Sequence, residues 1–217
     1  MQAGRVTVNG TAVTTLGTRV DPGRDVVAVD GRRVQVAPER WIAFHKPAGV
    51  LTTRSDPHGG RTVYDLLPAD LGSLRYLGRL DLETEGLLLL ANEGDLAHRL
   101  LHPSSGIERE YHAGVVGNPG ADVLRTLTTG VELEDGAARA VRARRLEDER
   151  DGAVLALVLA EGRKREVRRL LKAVRHPVRW LRRVRFGPIR LEGLARGAWR
   201  ELTDAEVDAL REAVGAG

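Results

Sequence analysis

The chain has 217 residues, with 34 lysines or arginines, 30 aspartates or glutamates and no cysteine. This length suits one domain of ordinary size with a small appendage. The absence of cysteine excludes disulfides, thiolate metal sites and thiol catalysis. No apolar run approaches the roughly 18 residues that a membrane span needs. The first residues show no signal-peptide pattern, so we expect a cytoplasmic protein.

Basic residues are concentrated in one part of the chain. Residues 139–200 contain 19 lysines or arginines but only 7 acidic residues, whereas the flanking segments are acidic on balance. A basic block of this density, within helix and strand patterns, predicts a surface for a polyanion. Nearly all the basic residues are arginines, which suit bidentate phosphate contacts. An arginine-rich genome would explain that preference equally well, but it would not explain the clustering.

The first 36 residues predict short strands and turns. Arg5 to Val8 alternates in polarity, and Asn9-Gly10 favours a two-residue hairpin turn. The same pattern around Asp30-Gly31, from Val26 to Val36, predicts a second hairpin. This segment is too short to bury a core of its own.

A larger domain, residues 41–217, is predicted after a linker at residues 37–40. Apolar runs and helix-period stripes distinguish its strands from its helices. The predicted strands are Trp41 to Phe44, Leu74 to Leu77, Leu87 to Ala91, Tyr111 to Val116, Val154 to Leu159 and Trp180 to Phe186. The predicted helices are Gly94 to Leu101, Ala121 to Thr128, Arg163 to Val174 and Asp204 to Val214. The irregular mixture predicts an α+β fold with a mixed or antiparallel sheet.

An acidic loop lies between two apolar strands, in the segment Gly78-Arg79-Leu80-Asp81-Leu82-Glu83-Thr84-Glu85-Gly86. A rigid scaffold can present a catalytic carboxylate from such a loop. On local chemistry alone, Asp81 could equally cap a turn or pair with Arg79.

Two further groups have comparable structural alternatives. The basic stretch from Gly162 to Arg169 would place Arg165 and Arg168 on one side of a helix, which could be a solvated face. The segment Arg109-Glu110-Tyr111 has an aromatic ring at a strand start, which could be a half-buried core residue.

Taken in order, these motifs resemble those of the bacterial ribosomal RNA pseudouridine synthases of the RsuA-like group. The matching segments are Lys46 to Val50, Gly78 to Leu90, Arg109 to Tyr111, Gly162 to Arg169, and His176 to Val178 with Gly187-Pro188. The resemblance covers about residues 41–202 and implies a pseudouridine synthase fold, with a mixed, largely antiparallel central sheet flanked by helices. Residues 1–36 resemble the second half of an S4 RNA-binding module, so an incomplete S4-like segment is expected there.

The resemblance also implies a reaction, the isomerisation of uridine to pseudouridine in ribosomal RNA, more specifically 23S rRNA, without a metal or other cofactor. Asp81 would act as nucleophile or base, Tyr111 would stack on the flipped-out uracil, and Arg168 would pair with Asp81. The residues expected to bind substrate or RNA are Lys46, Arg79, Thr84, Arg165, Val167, Arg169, Arg182 and Arg183. The expected partner is ribosomal RNA or a pre-ribosomal particle, and we expect a monomer without membrane contact.

Two other functions fit parts of the pattern. A non-catalytic rRNA-binding or ribosome-assembly factor could have the same fold, but a pure binder has no need for Asp81, Tyr111 and Arg168 together. Glu83 and Glu85 beside Asp81 could suggest a two-carboxylate glycosidase. Neighbouring side chains on one loop rarely reach the separation that this chemistry needs, and the basic block has no role there. The six histidines are scattered and lack metal-ligand spacing.

Overall fold

The computed structural model describes residues 1–21, 23–34 and 37–215. Contacts divide the chain into two compact units, Met1–Glu39 and Arg40–Gly217. Arg40, which the sequence predicts as the last linker residue, is tied to the larger unit. Its backbone N–H donates to Asn92, and its guanidinium pairs with Asp70 and Glu201. These bonds fix the start of the larger unit.

The smaller unit is an antiparallel sheet of short strands in the order β2-β1-β3-β4. Its strands are β1 (Val6–Val8), β2 (Thr11–Ala12), β3 (Val27–Val29) and β4 (Arg32–Arg33). Both predicted hairpins are confirmed, since Asn9-Gly10 and Asp30-Gly31 all have positive φ, as a type I′ turn requires. None of the described strand residues in this unit is fully buried. The predicted end of the second hairpin, at residues 35 and 36, lies outside the described residues.

The larger unit is built on one mixed sheet, which confirms the predicted α+β class. The sheet strands are β5 (Trp41–Lys46), β6 (Arg75–Tyr76), β7 (Thr84–Ala91), β8 (Arg109–Val116), β11 (Arg142–Glu149), β12 (Gly152–Leu159), β13 (Val178–Phe186), β14 (Ile189–Arg190) and β15 (Trp199–Glu201). The central path of the sheet runs β11-β12-β8-β13-β7-β5-β15, with β14 added beside β13 and β6 beside β7. Among these strands, only β13 and β7 pair in parallel. A separate hairpin comprises β9 (Val131–Leu133) and β10 (Gly136–Ala138).

Helices cover both sides of this sheet. They are α1 (Gly94–Leu101), α2 (Ala121–Thr129), α3 (Glu166–Ala173) and α4 (Asp204–Ala213). Leucines from α1 and α4 share a core cluster with Leu87 and Leu89 of β7. A second cluster joins α2 and α3 to β8 and β12, and a third packs β5 and the other side of β7 under two short 3₁₀ turns. The half-buried Tyr111 contacts the second and third clusters, so it lies at the boundary between them.

Several predicted boundaries are wrong for local reasons. Strand β7 begins at Thr84 rather than Leu87, because the polar residues before the apolar run also pair in the sheet. Helix α3 begins at Glu166 rather than Arg163, because Arg165 has a left-handed φ of 52°. Strand β11 was not predicted, since it is a charged strand at the sheet edge without an apolar alternation.

Among the described residues, no helix has both the length and the apolar composition to cross a bilayer.

Close approach of two central strands depends on Gly86. It has a φ of +114°, a conformation that side chains rarely adopt, and its Cα pairs with that of Arg183. A Cβ added here would collide with the backbone nitrogen and carbonyl of Arg183. The junction between β7 and β13 therefore requires glycine at this position.

We expect Gly86→Ala to lower the free energy of unfolding by on the order of 2–3 kcal/mol, because it adds a backbone collision to an unfavourable φ. Urea unfolding followed by circular dichroism measures this change. Gly94→Ala is the control, because a Cβ on this first residue of α1 meets nothing within 4 Å. That variant should be neutral or slightly stabilising. Equal stability of the two variants would contradict the proposed strand contact.

Candidate active site

A cleft of about 740 Å³ lies in the larger unit, between the Asp81 loop, the segment entering α3, and strands β8 and β13. Seven of the eleven predicted site residues line it, namely Arg79, Asp81, Thr84, Tyr111, Arg165, Val167 and Arg183. Lys46, Arg168, Arg169 and Arg182 are not among the lining residues. The fold thus gathers most of the predicted site from four separate stretches of sequence.

Backbone hydrogen bonds hold the loop that carries Asp81. The hydroxyl of Thr52 donates to the carbonyl of Leu80 at 2.9 Å, and the Leu80 N–H donates to the same hydroxyl at 3.3 Å. The N–H of Gly49 donates to the carbonyl of Leu82 at 2.8 Å. The Leu80 side chain is buried, whereas the Asp81 side chain is 34% exposed. The main chain is therefore anchored while the carboxylate stays accessible.

Lys46 is fully buried beneath this loop. Its Nζ donates to the carbonyls of Pro47 and Thr84, both at 2.9 Å. The carbonyls of Asp81 and Leu82 also accept from it, at 3.3 and 3.4 Å. One ammonium group thus ties the end of β5 to residues 81–84 of the Asp81 loop.

The buried position changes the chemistry of this lysine. Burial lowers the pKa of Lys46 to about 8, and the negative charges of Asp81 and Glu85 oppose that shift. Its role therefore differs from the prediction: the ammonium group holds the loop from beneath and is not open to RNA phosphates.

Arg165 is the arginine nearest to Asp81. Its Nη1 lies 3.8 Å from Asp81 Oδ2, and its Nη2 lies 3.9 Å from the carboxylate of Glu83. The left-handed backbone of Arg165, just before α3, turns this exposed side chain toward the loop.

Arg168, which was expected to pair with Asp81, binds the loop two residues further on. Its Nη2 donates to the carbonyl of Glu83 at 3.2 Å, and its Nη1 lies 3.9 Å from the Glu83 carboxylate. Burial lowers the pKa of Arg168, the charge of Arg165 lowers it further, and Glu83 and Asp81 oppose the shift. Arg168 therefore positions the loop, whereas the direct ion pair with Asp81 belongs to Arg165.

The cleft that contains the Asp81 carboxylate also has an apolar wall. Val167 and Leu181 are each only 4% exposed, and both line the cleft with the half-buried ring of Tyr111. Tyr111 and Arg183 are register partners on β8 and β13, so their side chains leave the sheet on the same face. A planar base could lie between this wall and Asp81.

Two buried arginines underlie the cleft. Arg109 is 8% exposed and donates to the carbonyl of Ile107 at 3.0 Å, and Arg183 is 2% exposed and donates through Nε to the carbonyl of Leu87 at 2.8 Å. Their guanidinium carbons lie 5.0 and 5.4 Å from the centre of the Phe186 ring. Burial, and then the charge of Arg183, lower the pKa of Arg109.

Exposed basic side chains surround the mouth of the cleft. Arg79, Lys164 and Arg165 all line it and are all exposed. Within the described part of the chain, neither Arg79 nor Lys164 has a hydrogen bond or ion pair in the protein. These two charges are available to an incoming anion.

Two predicted RNA-binding arginines are paired with carboxylates outside the cleft. Arg169 bonds to Asp135 at 2.8 Å, and Arg182 bonds to Glu85 at 2.6 Å. Arg182 and Glu85 are register neighbours on β13 and β7, on the sheet face opposite to Leu181. The residues that the structure describes contain no cluster of His, Cys, Asp or Glu side chains that could hold a metal.

Sequence reasoning missed several contributors to the site. The role of Lys46 in holding the loop depends on its burial, and a lysine in the sequence gives no indication that it is buried. Arg109 was noted only as part of a motif, and Lys164 only as part of a basic run. The basic stretch entering α3 did indicate Lys164. The sequence pattern could not show that its neighbours are paired with carboxylates while Lys164 has no protein partner among the described residues.

Comparison with known proteins agrees with this geometry. The profile of the family described as RNA pseudouridylate synthase matches residues 40–173. "Ribosomal large subunit pseudouridine synthase B" of Vibrio cholerae is 45% identical, over 99% of this chain and 68% of its own length. The protein of the same name from Escherichia coli is 44% identical, over 99% of this chain and 76% of its own length.

A shorter relative and a solved structure are matched over most of their own length. An uncharacterized RNA pseudouridine synthase of Aquifex aeolicus is 41% identical, over 98% of this chain and 86% of its own length. The crystal structure of a pseudouridylate synthase superposes with a TM-score of 0.72 at 25% identity, covering 96% of this chain and 90% of that one. The matched profile, relatives and fold agree, and the chain therefore belongs to the RNA pseudouridylate synthase family.

Proposed function

We propose that this chain isomerises uridine to pseudouridine in the RNA of the large ribosomal subunit, with Asp81 as the catalytic carboxylate. The observation that carries the proposal is the arrangement of Asp81, which is accessible on an anchored loop and lines the same cleft as an apolar wall that includes Tyr111. The names of the relatives from Vibrio cholerae and Escherichia coli support the large subunit as the source of the substrate.

The ionised form of Asp81 is the reactive one. Attack on ribose, attack on the uracil ring and removal of a ribose proton all require a carboxylate. The guanidinium of Arg165 lies 3.8 Å from this carboxylate and forms an ion pair with it. In the reaction the bond from C1′ to N1 breaks and a bond from C1′ to C5 forms. C5 loses its proton and N1 gains one, so the product is an isomer of the substrate.

The target uridine must leave its stack to reach Asp81, which costs a few kcal/mol. The ring of Tyr111, with Val167 and Leu181 beside it, offers a replacement stacking surface. Arg79 and Lys164 at the mouth would meet the phosphates on either side of the flipped nucleotide. The proposed partner is ribosomal RNA or a pre-ribosomal particle, met by a monomer in the cytoplasm.

We expect Asp81→Asn to lower the turnover rate by at least on the order of 10³-fold, because the amide is neither a nucleophile nor a base. Tritium release from RNA that carries uridine labelled at C5 measures turnover. RNA affinity, measured by filter binding, should stay close to that of the wild type. Turnover at the wild-type rate would remove Asp81 from the mechanism.

Asp135→Asn provides the matched control, because this exposed carboxylate pairs with Arg169 outside the cleft. It should retain wild-type turnover. A separate experiment tests the alternative of a non-catalytic binding factor. If the protein only binds rRNA, carbodiimide-primer extension on rRNA from a deletion strain will show no missing pseudouridine.

We expect the rate of the chemical step to fall as the pH rises through about 8, where Lys46 loses its proton. The neutral amine has fewer N–H donors for the loop carbonyls and no charge beside Asp81. Single-turnover rates from pH 6.5 to about 9.5 measure the effect. Lys46→Arg, if circular dichroism shows that it is folded, should lack this decline, because guanidinium stays charged. An unchanged alkaline decline in that variant would assign it to another group.

We expect Lys164→Ala to weaken RNA binding and to reduce the slope of log K against log salt by about 0.7–0.9, the value for one lost phosphate contact. Lys172→Ala is the control, since Lys172 is equally exposed at the other end of α3 but does not line the cleft. Filter binding at several salt concentrations measures both slopes. Equal slopes for the two variants would exclude Lys164 from the RNA interface.

A further inference from the structure

Arg183 is a buried charge whose hydrogen-bonding capacity is mostly unused. It is 2% exposed, and its Nε donates to the carbonyl of Leu87. Among the described residues, its Nη2 is buried without a partner, and neither of its Nη groups has a hydrogen bond or ion pair. Leaving such donors unpaired is costly. A buried donor that lines a cleft and has no protein partner is available to a group of a bound ligand.

The other arginines of β13 differ from Arg183 in this respect. Arg179 pairs with Glu149, Arg182 with Glu85, and Arg185 with Glu108 and Glu110. Arg185 and Glu110 are register partners, so they lie on the face opposite to Arg183 and Tyr111. On this strand, the charge that faces the cleft is the one left without a carboxylate.

A second buried charge reinforces the first. Arg109 also lines the cleft, and both guanidinium groups lie against the Phe186 ring. Neither Arg109 nor Arg183 forms a salt bridge with any described residue. The buried Glu166 also lines the cleft and attracts Arg109, but it forms no salt bridge with either guanidinium group. Two buried guanidinium groups without a directly paired carboxylate make the floor of the cleft a site for negative charge.

The position of Arg183 identifies the chemical group that it meets. Its Cα is paired with that of Tyr111, and side chains paired in this way lie next to each other on the same face. A pyrimidine stacked on Tyr111 therefore turns one edge toward Arg183. Uracil has two acceptor oxygens, O2 and O4, whereas cytosine replaces O4 by a donor amino group. Phosphates are met at the exposed mouth, not at this buried floor.

We propose that the Arg183 guanidinium binds a carbonyl oxygen of the flipped uracil, O2 or O4, and stabilises the negative charge of the detached base. This inference rests on the proposed function. When the C1′–N1 bond breaks, its electron pair leaves with N1 and is shared by O2 and O4. C5 then bonds to C1′ and loses its proton, and N1 takes up a proton. The buried donors are aimed at charge that develops only during this reaction.

Two variants separate this role from a structural one. Arg183→Gln should slow single turnover by on the order of 10²-fold, with RNA affinity within about twofold of the wild type. Arg185→Gln is the matched control, because it removes an arginine of the same strand, 13% exposed, from the opposite face. It should lose stability without a comparable loss in the chemical step. Unfolding curves of both variants allow the rates to be compared between folded proteins.

Substrate analogues provide the decisive measurement. RNAs with 2-thiouridine or 4-thiouridine at the target replace one oxygen by sulfur, a weaker acceptor. At the contacted position, the substitution should slow the wild type by about 10-fold but slow Arg183→Gln by less than about twofold. Equal slowing of both enzymes by both analogues would overturn the proposal. Weaker RNA binding and a smaller salt slope for Arg183→Gln, without such coupling, would assign Arg183 to a phosphate and also overturn it.

Turnover by the wild type separates a failure of this inference from a failure of the proposed function. Turnover by the wild type without coupling at residue 183 would reject this inference alone. An absence of wild-type turnover on large-subunit rRNA would reject the proposed function, and the role of Arg183 with it.

Discussion

The buried ammonium group of Lys46 is the interaction on which the site depends. A lysine in a protein interior is costly because its charge leaves water, and the lowered pKa of Lys46 reflects that cost. Four backbone carbonyls around Nζ offset it, and they belong to residues 47, 81, 82 and 84. The same bonds that satisfy the ammonium group therefore fix the main chain at Asp81 and in the residues that follow it. A site that must hold one carboxylate in a defined place gains this rigidity without using the carboxylate itself.

The central sheet separates two uses of arginine. On the face away from the cleft, guanidinium groups of β13 are saturated by glutamates of neighbouring strands, and they contribute to cohesion more than to recognition. At the mouth of the cleft, Arg79 and Lys164 have no protein partners among the described residues. The basic block of residues 139–200 is therefore not one RNA surface. Many of the cations that give this segment its positive net charge are already paired with carboxylates in the fold.

The sequence predicted the elements whose burial creates a strong pattern. The apolar runs in β7 and β12 and the stripe of α3 identified the core, and the turn pairs at Asn9 and Asp30 identified both hairpins. Strand β11 was not predicted, because an edge strand tolerates charge at nearly every position. The order of motifs placed Asp81 and Tyr111 in one site. It assigned Arg168 as the partner of Asp81, whereas the left-handed residue before α3 brings Arg165 to the carboxylate.

The distribution of charge in the cleft fits a reaction in which charge moves. Asp81 and Arg165 form an ion pair at the accessible side, so this carboxylate already has a counter-ion before substrate arrives. Arg109 and Arg183 on the floor form no ion pair within the described chain, and Arg183 keeps donors free for a base that enters and becomes anionic. A cation that was already neutralised by a carboxylate could stabilise a leaving uracil only weakly. Burying unpaired donors costs stability in the folded protein, but these donors stabilise the transition state more than the bound substrate. Such selective stabilisation raises the rate and not merely the affinity.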